Sequence, residues 1–117
     1  MERAVFVYTT WPSPVEAEQA GRALVERRLA ACVNIIPGMV SLYWWQGKLE
    51  RGQEAVMIVK TRASLALDLE VEVKALHPYD TPAFAVLPLE SIEARYFGWL
   101  LAETDAASAS PGSPASS

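Results

Sequence analysis

Between Cys32 and Thr61 the chain reads CVNIIPGMVSLYWW, then QGK, then LERGQEAVMIVKT. Two arms rich in β-branched and aromatic residues, joined by a tight turn at 46–48, make a hairpin. With about 14 residues a side at ~3.3 Å per residue, it is on the order of 45 Å long. Pro37-Gly38 inside the first arm marks a bulge or bend on an edge strand. The apolar run AVMIV at the end of the second arm predicts a central strand buried on both faces. A chain of 117 residues supports one core and cannot cover such a ribbon with its own single sheet. Leu42, Tyr43, Trp44 and Trp45 at the far end would leave a sticky edge on a monomer. The hairpin therefore predicts self-association.

The remaining segments supply partners for the hairpin. RAVFVYTT (3–10) reads as a buried strand ended by the prolines of WPSP. Ser13-Pro14 opens a helix over 14–30, with Ala17, Ala20, Gly21, Leu24 and Val25 as its apolar stripe and Arg27 and Arg28 at its negative end. SLALDLEVEVKALHP (64–78) fits both a strand and a helix period. Ser64 as cap, Asp68 near the positive end and Pro78 as a stop favour the helix. PAFAVLPL (82–89) is a short strand. SIEARYFGWLLAET (91–104) is a last helix with Ser91 as cap and Ile92, Tyr96, Trp99 and Leu100 on one side. The predicted fold class is α+β: a βαββαβ sandwich with two helices on one face of an antiparallel sheet and an extra C-terminal helix. Residues 1–104 form one domain, and the Ala/Ser/Pro-rich segment 105–117 is expected to be a flexible tail.

Composition narrows the function classes. Ten Lys and Arg against fourteen Asp and Glu leave a net charge of −4, which gives counterion release to a nucleic acid no evident basis and argues against anionic membrane surfaces. No apolar run approaches the ~18 residues that span a bilayer, and the first residues lack a signal-peptide pattern. The expectation is a cytoplasmic protein with neither nucleic-acid nor membrane partners. A single cysteine, Cys32, excludes an intrachain disulfide. One Cys and one His cannot alone make a four-ligand zinc site.

No phosphate loop, GxGxxG, HExxH or CxxC pattern occurs, and nothing resembles a nucleophile elbow. The only histidine, His77, stands in ALHPYDTP. It reads either as a structural imidazole capping a helix C-terminus or as a metal ligand. Cys32 reads as a small buried hydrophobe or as a soft copper or zinc ligand. Tyr43, Trp44 and Trp45 suit a subunit contact and also a ligand cage. Glu54 reads as exposed or paired, Lys60 as exposed, paired or holding an anion at the sheet edge, and Asp80 as a turn residue.

RLAACVNIIPG, the WQGK turn and HPYDTP, in this order and spacing, closely resemble the CutA divalent-cation-tolerance proteins over residues 4–103. The resemblance implies a ferredoxin-like fold and a homotrimer, assembled like the PII signalling trimers with clefts between subunits. It also implies a role in tolerance to divalent metal ions, copper above all. The copper site of the family's pattern uses a cysteine late in the first strand and two consecutive histidines before PY. Here Tyr8 and Leu76-His77 hold those positions, so only His77 carries over.

Two expectations follow. One is a non-catalytic trimer in the metal-ion response, binding copper or another divalent cation weakly at an intersubunit cleft through His77, with Cys32 as a further candidate ligand. The other is a PII-like sensor that binds a small anionic molecule in a cleft lined by Trp45, Lys60, His77 and Tyr79.

Overall fold

A computed structural model describes residues 1–105, so the expected tail lies outside the described residues apart from Asp105. The element order is β1 (Ala4–Trp11), α1 (Pro14–Glu26), β2 (Cys32–Trp45), β3 (Lys48–Arg62), a short 3-10 turn (Ala63–Leu65), α2 (Ala66–Leu76), β4 (Phe84–Pro88) and α3 (Ala94–Glu103). The four strands form one antiparallel sheet in the order β2-β3-β1-β4. Each helical crossover therefore skips one strand, giving the two interlocked split βαβ units of a ferredoxin-like sandwich.

Strand alternation divides the sheet into two faces. Val5, Val7 and Trp11 of β1 stand with Ala55, Met57 and Val59 of β3 against Ala17, Ala20 and Leu24 of α1 and Leu69 and Val73 of α2, forming the main core. Partners directly opposite share a face. The other face accordingly carries Phe6 with Lys60 and Leu87, Tyr8 with Ile58 and Ala85, and Ile36 with Val56. Helix α3 covers only a corner of it, where Leu100 meets Ala4 and Ala31 and Lys60 Nζ lies 5.2 Å from the Phe6 ring centroid and 5.6 Å from that of Tyr96. The rest of this face stays open, with Ile36 and Leu87 about half exposed.

Several sequence expectations shift by a turn. Helix α1 stops at Glu26 rather than at residue 30, because Arg28 adopts φ 61° and closes the helix with bonds from its own N–H to Val25 O and from Leu29 N–H to Leu24 O, both 3.0 Å. That is a left-handed cap usually taken by glycine. Arg28 also reaches Glu103 at 2.7 Å, tying α1 to α3. Ser64 does not cap α2; it bonds Glu2 instead, and Leu65 holds the cap position with no side-chain bond. Ser91 does not cap α3 either. Glu93 does, its carboxylate accepting from Tyr96 N–H at 2.9 Å. The strand expected over 82–89 is confined to Phe84–Pro88. Trp99, expected on one side of the last helix with Ile92, Tyr96 and Leu100, is 43 % exposed and stacks on Tyr96.

The hairpin forms as its sequence requires. Gln46 and Gly47, at φ 50° and 78°, make a two-residue turn of the hand that suits strand twist, so β3 already begins at Lys48. Pairing slips between Ile36 and Met39 as Pro37-Gly38 bulge. The molecule spans 49 × 32 × 23 Å with a radius of gyration of 15.3 Å, against about 13 Å for a compact chain of this length.

Candidate functional site

The bulge at Pro37-Gly38 decides what faces the cleft. Before it, even-numbered residues of β2 stand on the open face of the sheet: Cys32, Asn34 and Ile36 pair with Lys60, Ile58 and Val56. After it, Met39, Ser41, Tyr43 and Trp45 pair with Glu54, Gly52, Glu50 and Lys48, so odd-numbered residues take over that face. The single inserted residue brings Tyr43 and Trp45 onto the side of Gly52 and Glu54.

The second wall comes from the segment after α2. Strand β1 ends at Trp11, opposite Ala55, which leaves the flank of β3 without a strand from Glu54 onward. The loop at His77–Ala83 closes over this end, and its anchor is His77. The ring is buried, stacks on Trp11 at a centroid distance of 4.2 Å and lies tilted against Tyr79 at 4.7 Å. Its Nε2–H donates to Thr10 O at 2.7 Å, while its Nδ1 accepts from Tyr79 N–H at 3.1 Å. A carbonyl can only accept and an amide can only donate, so these partners select the neutral Nε2–H tautomer. Trp11 is fixed in turn: its indole N–H donates to Thr9 Oγ1 at 2.8 Å, and that hydroxyl donates to Met57 O at 2.8 Å.

Held by His77, Tyr79 donates its hydroxyl to Glu54 Oε2 at 3.1 Å, and Ser41 Oγ donates to Glu54 Oε1 at 3.1 Å. Burial, reinforced by the charge and hydrogen bond of Glu54 and by the more distant Tyr43 and Glu16, pushes the Tyr79 phenol pKa up from its ordinary value. The resulting cavity of about 600 Å³ is lined by Tyr43, Trp45, Glu54, Tyr79 and Asp80, with Thr10, Gly52, Gln53, Thr81 and Ala83 completing the wall. That volume suits a small molecule.

Of the four residues expected to line a cleft, Trp45 and Tyr79 come together here, and His77 lies behind Tyr79 as its support. Lys60 stands apart, six residues along β3 from Glu54 and so about 20 Å away, over Phe6 and Tyr96. Cys32 is its half-buried cross-strand neighbour and shares nothing with His77. Tyr8 lies on the open face with its hydroxyl 3.5 Å from Met39 Sδ, whereas Trp11, on which His77 stacks, belongs to the helical face. Glu54 and Asp80 carry more of the site than their sequence reading assigned. The signal for Glu54 is its place on the hairpin just beyond the end of β1, and that for Asp80 its place within HPYDTP.

The residues do not fit a metal ion held by His77 or Cys32 within one chain. A cation on either imidazole nitrogen would displace a main-chain partner. Among the described residues no three His, Cys, Asp or Glu side chains gather into a metal-holding group.

Fold and site together define a ferredoxin-like α+β protein with an overlong hairpin and an aromatic, carboxylate-bearing cleft along the hairpin's outer half. The family model of the CutA1 divalent ion tolerance protein matches residues 5–103, and the chain belongs to this family. It is 44% identical over 104 residues to the divalent-cation tolerance protein CutA of Thermus thermophilus, covering 89% of this chain and 99% of the relative. To the protein of the same description from Archaeoglobus fulgidus it is 44% identical over 95 residues, covering 81% and 92%. The solved structure of the periplasmic divalent cation tolerance protein CutA from Archaeoglobus fulgidus superposes with a TM-score of 0.85 at 41% identity, covering 87% of this chain and 99% of that one.

Proposed function

We propose that this protein serves in tolerance to divalent metal ions as a non-catalytic homotrimer whose ligand cleft lies between subunits, with copper or another divalent cation as a weakly held ligand. Family membership supports the metal-ion role in general. The observation that carries the finer reading is the cleft wall: Glu54 and Asp80 supply carboxylate, and no Lys or Arg is among the lining residues. Such a wall favours a cation and disfavours the small anion of the PII-like reading, whose one basic residue, Lys60, lies elsewhere. With His77 bonded at both nitrogens, the metal contacts in this proposal come from carboxylate oxygens, which bind copper more weakly than a preorganised imidazole set.

The trimer reading draws on the hairpin and on the open sheet face. Both edge strands, β2 and β4, have one unpaired side, and Tyr43, Trp44, Trp45, Ile36 and Leu87 expose apolar surface that a monomer would leave in water.

Calorimetric titration with copper(II) tests the ligand assignment. The wild type should give a weak isotherm that Cys32→Ser leaves unchanged and that Asp80→Asn weakens further, while His77→Ala, which loosens the support of Tyr79, keeps measurable binding. Loss of binding in His77→Ala alone would overturn the carboxylate assignment.

A further inference from the structure

The cleft is far larger than a metal ion, and three aromatic rings, those of Tyr43, Trp45 and Tyr79, stand in its wall. A divalent ion seeks several oxygen, nitrogen or sulfur donors at once. Here both oxygens of Glu54 already accept hydrogen bonds, from Ser41 and Tyr79. Asp80 is the other acidic residue of the wall, beside the rings of Tyr43, Trp45 and Tyr79. Aromatic rings stabilise cations of low charge density, whose hydration costs little to remove, through their quadrupoles. The Tyr79 hydroxyl donates to a carboxylate, which leaves its ring richer in electrons. The Ser41 and Tyr79 bonds hold Glu54 in place as a fixed negative charge.

From this convergence we infer that the cleft takes a small organic ammonium ion, its alkylated nitrogen against Tyr43, Trp45 and Tyr79 and its charge facing Glu54 and Asp80. The inference rests on the cleft being the ligand site proposed above, and it adds a chemical class of ligand that the metal-ion role does not name. Lys60 takes no part: it lies over Phe6 and Tyr96 on the corner covered by α3. The cavity volume of about 600 Å³ leaves room for the substituents of such an ion.

Calorimetric titration of the full chain at constant ionic strength tests it, with choline as the probe and 3,3-dimethylbutan-1-ol, its uncharged isostere, as the control. Choline should bind saturably, the isostere about tenfold more weakly, and Trp45→Leu and Glu54→Gln should each lower choline affinity by about fivefold to tenfold. Unchanged sedimentation of both variants confirms that they keep the fold and assembly. Equal binding of choline and its isostere, or choline affinity untouched in both variants, overturns the inference. If choline gives no saturable heat while copper(II) still binds in a manner sensitive to Asp80→Asn, the inference fails and the metal reading of the cleft survives. If copper(II) is insensitive as well, both fail.

Discussion

At the scale of single residues, the imidazole of His77 acts as a joint. It ties the carbonyl of Thr10 to the amide of Tyr79 and fills the space between two aromatic rings. His77→Ala removes two hydrogen bonds and a stack in a buried place, and should destabilise the fold by about 2–4 kcal/mol, read as a lower urea midpoint at fixed protein concentration. Glu2 offers a pH-dependent case. Partial burial raises its carboxyl pKa, but bonds from the Ser64 hydroxyl and amide and the Arg3 amide, with the charge of Arg62, outweigh this and hold it below the ordinary value of 4.5. A carboxyl depressed in the fold stabilises fully above its unfolded value, and that stability is lost as pH falls through the folded one. Wild type should therefore exceed Glu2→Gln by about 0.5–1 kcal/mol at neutral pH. The gap should close in denaturant titrations as pH drops below 4.5.

Among the elements, α1 and the hairpin are the most tightly specified. Helix α1 approaches β2 and β3 at Gly21, where an added Cβ would stand 2.8 Å from Val33 Cγ2 and 3.0 Å from Met57 Sδ. Alanine is the better helix former by about 1 kcal/mol. Yet Val33 is stiff at χ1, so Gly21→Ala should cost about 1–3 kcal/mol through overpacking, seen as a lower denaturant midpoint. A neutral or stabilised variant would show that α1 can move away from the sheet. Much of this level was legible in advance: the hairpin, its bulge and the helix start at Ser13-Pro14 all carry residues whose backbone preferences leave few alternatives. Ser64 and Ser91 do not cap their helices for a physical reason. A serine caps only if no better partner competes, and Glu2 takes Ser64 from sixty-two residues away in sequence. Glu93, two residues on, caps α3 in place of Ser91.

For the molecule as a whole, the open sheet face and the protruding ribbon set the behaviour in solution. Sedimentation should give a mass three times that of the 12.8 kDa chain. Ile36→Glu and Leu87→Glu together place charge on positions already half exposed in one chain, so the fold should persist while the sedimenting mass falls. A wild type that sediments as a single chain would remove the trimer from the proposal. The cleft belongs to this scale too, because its walls come from β2, β3, the end of β1 and the loop after α2. Trp45 follows from the WQGK turn and Tyr79 from HPYDTP, and both line the cavity. Lys60 was grouped with them although the strand that carries it runs about 20 Å between the two.

The order of strands and helices, the overlong hairpin and its bulge, and the membership of His77 in a fixed motif are all properties of local pattern: alternation, proline and glycine geometry, and helix period act within a few residues and can be read along the chain. What His77 does is a different kind of fact. Whether its nitrogens are open to a metal or bonded to main chain depends on Thr10, which is sixty-seven residues distant, and only folding brings the two together. The same holds for the parity of Tyr43 and Trp45, which a one-residue slip in pairing reverses. Sequence names the residues that can carry chemistry, and the packing of β1 against the end of α2 decides that this histidine spends its hydrogen bonds on holding Tyr79 in the cleft wall.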